Sequence, residues 1–148
     1  MQDDTVIATL NELLAAEQGS LIPRLMESAV FVSRLEIAAD LVIRGTARTV
    51  VKDTAELTRL ILDLGGEPAP PRFNLATADL HYQDVRHVLP RLLADQLALV
   101  RTYTLASPRL AGAPRAAAVV SGILARHQAD LEKLQTQSGT NPASRTTA

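Results

Sequence analysis

Apolar side chains recur every three to four residues through four long segments of this chain, and that spacing constrains the fold more than any other feature. Over residues 5–30 the stripe is Val6, Leu10, Leu13, Leu14, Leu21, Leu25 and Val30. Asp3 or Asp4 is placed to cap this helix, and Pro23 predicts a kink beside Gly19 and Ser20. The second segment opens on Ser33-Arg-Leu-Glu36, which fits a capping box, and continues through Leu41, Val42, Thr49, Val50, Leu57, Leu60, Ile61 and Leu64. Gly65-Gly66 closes it as a C-cap, giving a helix roughly 46 Å long. The third runs from Asp79 or Leu80 to Ala106, with Val85, Val88, Leu89, Leu92, Leu93, Leu97, Val100 and Tyr103 inward and a bend expected at Pro90. The fourth covers residues 115–134, with Val119, Val120, Ile123, Leu124, Leu131 and Leu134 inward.

The links between these segments set the topology. Residues 66–79 are proline-rich and aperiodic, and fully extended they reach about 46 Å. A hairpin between antiparallel helices needs only about 2–8 residues. A segment whose reach matches the preceding helix is expected to run back along the bundle. Residues 107–114 form a turn-rich connection, and residues 137–148 lack apolar anchors and read as a disordered tail. The expectation is one all-α domain over residues 1–136, an up-down four-helix bundle with a long crossover between its second and third helices.

Composition agrees and narrows the function classes. The 148 residues include 23 Leu and 23 Ala, with no Trp, two Phe and two Tyr, which favours helices over sheets. Without cysteine there is no thiolate nucleophile and no cysteine-based metal site. A formal net charge of −1 gives no field for nucleic acid. The longest uncharged apolar run, residues 116–125, is half what a membrane span needs, and the acidic N-terminus lacks a secretory pattern. A soluble cytoplasmic protein is expected. Apolar stripes wider than one seam predict self-association, with a homodimer favoured.

Function is written in the polar residues that fall on these stripes. Glu17 sits between Leu13/Leu14 and Leu21, and Asp53 between Val50 and Leu57. His127 lies between Ile123/Leu124 and Leu131 with Asp130 one turn on, and Gln96 lies between Leu92/Leu93 and Val100 with Asp95 at its edge. A lone carboxylate is costly to bury, so these groups are expected to meet. Carboxylates converging with an imidazole suit iron, manganese or zinc. The same groups could instead form a hydrogen-bonded cluster in which a protonated His127 pairs with a carboxylate, or carry out acid–base chemistry. His81, Asp84 and His87 form a second group, but two histidines six residues apart lie about 120° apart around a helix and read as surface or subunit contact. Tyr103 reads as core, or as capped by a carboxylate, rather than as a redox residue.

Three stretches together resemble the ferritin-like superfamily, its bacterioferritin and rubrerythrin branches especially. They are Leu13-Leu-Ala-Ala-Glu17, the helix ending Leu64-Gly-Gly-Glu-Pro68, and Ile123-Leu-Ala-Arg-His-Gln-Ala-Asp-Leu-Glu-Lys-Leu134. That resemblance implies a di-iron site with one Glu on each of the first and third helices and Glu-x-x-His on the second and fourth. Glu17 matches. The second motif falls on Val50-Val-Lys-Asp53 and the fourth on His127-Gln-Ala-Asp130, while the third-helix Glu falls near Val100. Six ligands thus reduce to four, Glu17, Asp53, His127 and Asp130. A standard ferroxidase centre is not intact, so the expectation is a non-standard or degenerate centre for iron or another divalent metal. The alternative is a metal-free helical scaffold or interaction module that lost the site.

Overall fold

The computed structural model describes residues 2–20, 37–70 and 85–139. Among the described residues four α-helices pack against one another: α1 (Gln2–Gly19), α2 (Ile37–Asp63), α3 (Val85–Ala106) and α4 (Pro114–Ser138). A 3-10 turn, Ser107–Leu110, leads from α3 towards α4. No helix among these residues is long and apolar enough to cross a membrane.

The helix limits differ from the periodic reading in instructive ways. α1 begins at Gln2, so Asp3 and Asp4 lie inside its first turn, where carboxylates face the positive end of the helix dipole. It stops at Gly19 and does not continue unbroken towards Val30. Ser20 leaves the helix, its N–H reaching the Glu17 carbonyl three residues back, and its buried hydroxyl donates to Asp95 at 2.7 Å. Residues 21–36, with Pro23 and the Ser33–Glu36 capping box, lie outside the described residues, as do His81, Asp84, most of the 66–79 segment and residues 140–148. Pro90 is accommodated inside α3. α4 continues to Ser138, four residues beyond Leu134, and ends on Gly139 in the left-handed region.

The inward face of α3 is rotated from the expected one. Val88, Leu89, Leu92, Gln96, Leu99, Tyr103 and Ala106 are buried, whereas Leu97 is 37% exposed and Val100 is only half-buried. The Gly65-Gly66 ending holds as expected. Gly66 N–H bonds the Ile61 carbonyl, and Gly65 takes φ +78°, a conformation that glycine adopts without the penalty a Cβ brings. The chain that follows is fixed to α1 by one side chain: Asn11 donates to the Glu67 carbonyl at 3.0 Å and accepts from Ala69 N–H at 2.7 Å.

α1 packs closely on α2 and α3, and α4 on the same two helices, so α1 faces α4 across the centre. The buried side chains fall into two apolar clusters. One joins Val6–Leu14 positions of α1 to Leu57, Leu60 and Ile61 of α2, Leu99 and Tyr103 of α3, and Val120 and Ile123 of α4. The other joins Ile43, Ala47 and Val50 of α2 to Val88 and Leu92 of α3 and Leu134 of α4. Read along each helix, α1 and α4 leave the first cluster while α2 and α3 run towards it. Between the clusters lies a layer of four buried polar side chains, one from each helix: Glu17, Asp53, Gln96 and His127.

Candidate metal centre

Each member of the polar layer occupies a position its helix would otherwise fill with an apolar side chain. Glu17, Asp53, Gln96 and His127 are all fully enclosed: core residues flank Asp53 (Val50, Leu57), Gln96 (Leu92, Leu99) and His127 (Ile123, Leu134) on their helix faces, and Leu14 precedes Glu17 near the end of α1. Helical spacing puts each of them on its helix's inward face, and the packing of the four helices brings them to one level.

At that point His127 Nε2 lies 2.5 Å from Glu17 Oε1 and 3.5 Å from Asp53 Oδ2. One ligand atom from each of Glu17, Asp53 and His127 fits within 4.8 Å of the others, a group that could hold a metal ion. Tyr103 donates its hydroxyl to Glu17 Oε1 at 2.6 Å and sets its ring 5.2 Å from the His127 imidazole. Gln96 donates its amide nitrogen to the His127 carbonyl at 3.0 Å and brings the same nitrogen to 3.3 Å from Nδ1. Within this group two buried carboxylate oxygens, Glu17 Oε2 and Asp53 Oδ2, have no hydrogen-bond partner.

Arg126 reaches in from the α4 surface, donating to Asp53 Oδ1 at 2.9 Å and to Glu56 Oε2 at 2.6 Å. Glu17, Asp53 and Glu56 carry three formal negative charges against the one positive charge of Arg126. Burial raises the Asp53 carboxyl above its ordinary range, although the Arg126 hydrogen bond and the neighbouring imidazole oppose the shift. Burial and the Glu17 carboxylate together raise the Tyr103 hydroxyl, so it stays a donor at any working pH.

Of the four residues expected to converge, three do. Asp130 is buried but stands outside the group, in a recess with Thr46, Thr49 and Lys133, its Oδ1 4.0 Å from the Lys133 ammonium. Asp95 is taken up by Ser20. Tyr103 is capped by a carboxylate, one of the two roles read for it. The residue the sequence reading overlooked is Arg126, and the usable signal was the Asp53/Glu56 pair at i, i+3, two carboxylates on one face that call for a cation.

Comparison with known proteins adds no constraint: no family model, no curated protein and no solved structure matches this chain.

Proposed function

We propose that this chain is a ferritin-like helical bundle whose polar layer binds a single divalent transition-metal ion through Glu17, Asp53 and His127. The observation that carries the reading is the pair of enclosed carboxylate oxygens without donors, Glu17 Oε2 and Asp53 Oδ2, beside an imidazole nitrogen. Buried acceptors left in this way are costly, and a cation satisfies both at once. With a neutral His127, as metal ligation requires, the three carboxylates and Arg126 sum to a formal charge of −2, which a divalent ion neutralises. Two donors about 2.1 Å from one ion stand roughly 3.0–3.5 Å apart, which the 3.5 Å between His127 Nε2 and Asp53 Oδ2 meets. The 2.5 Å between His127 Nε2 and Glu17 Oε1 is a hydrogen-bond distance, so Glu17 would ligate through Oε2 or move slightly apart.

One imidazole and two carboxylates suit iron, manganese or zinc. Such an ion, when bound, supplies Lewis acidity or redox capacity. The residues around it orient Glu17 (Tyr103), hold Asp53 (Arg126) and exclude water. Three ligands serve one ion, so the reading is a mononuclear site and not a dinuclear oxidase centre, with Asp130 outside it. Two fold features support the ferritin-like assignment: α2 and α3 run in the same direction, and Asn11 turns the chain after Gly66 back along α1. Both are what a crossover between second and third helices requires.

The competing reading, a metal-free scaffold, draws on Tyr103, His127 and Arg126 as donors that already serve one oxygen of each carboxylate. Elemental analysis separates them. Protein purified from medium supplemented with iron, manganese and zinc should carry about one ion per chain, lost in Glu17→Gln and His127→Ala. Background metal in the wild-type protein, unchanged in both variants, overturns the proposal.

A further inference from the structure

The amide of Gln96 contacts two atoms that impose different demands. Its nitrogen lies 3.0 Å from the His127 main-chain carbonyl and 3.3 Å from His127 Nδ1. A carbonyl only accepts, so the atom facing it is the NH2 group, and an NH2 group has hydrogens to give and no lone pair to offer. Nδ1 therefore presents its lone pair to Gln96. The single proton of a neutral ring then sits on Nε2 and points at Glu17 Oε1.

Metal ligation needs the opposite arrangement. Nε2 must offer its lone pair, with the ring proton on Nδ1 facing an acceptor. That acceptor is present but turned away, because Gln96 Oε1 is enclosed and has no hydrogen-bond partner. Half a turn of the amide would place Oε1 opposite Nδ1–H. The His127 carbonyl would then face Oε1 in place of a donor, so the amide must also draw back from it; that carbonyl sits mid-helix in α4, where the N–H four residues on already serves it.

We propose that Gln96 is a positioning residue that sets the His127 tautomer, holding Nε2–H against Glu17 in the arrangement seen here and offering Oε1 to Nδ1–H when Nε2 ligates a metal. The second half rests on the metal reading above. The first half does not.

Long-range proton–nitrogen correlation spectra of protein labelled at histidine nitrogen report which ring nitrogen carries the proton. His127 is assigned by comparison with His127→Ala. In chelator-treated wild-type protein at pH 8, His127 should be the Nε2–H tautomer. Gln96→Glu, which puts an acceptor opposite Nδ1, should move it to Nδ1–H and tighten zinc binding, followed by competition with a chromophoric chelator, by tenfold or more. Gln96→Met, which removes the donor without adding charge, should add a detectable Nδ1–H fraction while Glu17 still accepts from Nε2–H, and it keeps the test available should the Glu variant fail to fold. A wild-type ring carrying its proton on Nδ1, or tautomers unmoved in both variants, overturns the proposal. If the tautomers move as stated but zinc binds neither wild-type protein nor Gln96→Glu, the metal reading fails while the assignment of Gln96 stands.

Discussion

Glu17 Oε1 receives two donors, the Tyr103 hydroxyl at 2.6 Å and the His127 imidazole at 2.5 Å, from two different helices. Removing one of them isolates what a donor to an enclosed carboxylate contributes. Tyr103→Phe keeps the ring and its packing, so the change should destabilise the protein by about 1–3 kcal/mol, read from urea unfolding. In a Glu17→Leu background the same substitution should cost far less, and equal costs in both backgrounds would show that the hydroxyl serves something other than Glu17. At this scale Glu17, Asp53 and His127 were legible because each interrupts a run of Leu, Ile and Val at core spacing. Asp130 obeys a similar spacing, but three residues rotate it about 60° from His127 and carry it about 4.5 Å down the axis, enough to reach Lys133 and not the centre. Arg126 was illegible for another reason: its Cα sits beside the stripe and only a long side chain brings the guanidinium inward, its exposure still 32%.

The ends of the elements rest on backbone chemistry. At Gly65 a Cβ would meet nothing within 4 Å, yet φ is +78°, so Gly65→Ala tests conformation alone. It should cost about 1 kcal/mol in thermal or urea unfolding without changing the helical circular dichroism. A neutral result would mean the turn relaxes to another cap. The Gly-Gly pair was readable from sequence because helix endings of this kind have few solutions. The inward face of α3 was not. Leu89, Leu92, Leu93, Leu97 and Leu99 spread over roughly 160° of its circumference, too wide for one seam, so two stripes fit the periodicity about equally. Packing chose the one through Leu92, Gln96, Leu99 and Tyr103, leaving Leu97 at the surface. The end of α1 was likewise hidden, because Val6–Leu14 spacing continues into Leu21 and Leu25 while Gly19 and the Ser20–Asp95 contact break the helix.

Taken together, the buried acids give the molecule an unusual response to pH. Burial raises both Asp53 and Asp130 above the ordinary value of 3.8, with Arg126 and Lys133 respectively among the groups opposing it. An acid whose folded pKa exceeds its unfolded one binds its proton more tightly when folded. Its contribution is therefore fully present below the unfolded value and is lost as pH rises from about 4 through the folded pKa. Asp130→Asn should remove part of that loss, so its stability gain over wild-type protein should grow between pH 4 and pH 8 in urea titrations. Parallel curves for the two proteins would contradict the cause assigned to Asp130. The helical class and the inward placing of Glu17, Asp53 and His127 followed from spacing. The direction of each helix and the two-part core came only from three-dimensional packing, since periodicity says which face is inside but not what lies opposite.

The layer formed by Glu17, Asp53, Gln96 and His127, with hydrocarbon on both sides, also acts as a gauge mark along the bundle axis. Leucine-rich rods can slide past one another by a turn and still mate oil with oil. Here a slip of one turn would leave a buried polar side chain facing Leu57 or Leu92 with nothing to answer it, so the alignment of the rods is keyed and a shifted assembly is penalised at the step where it forms.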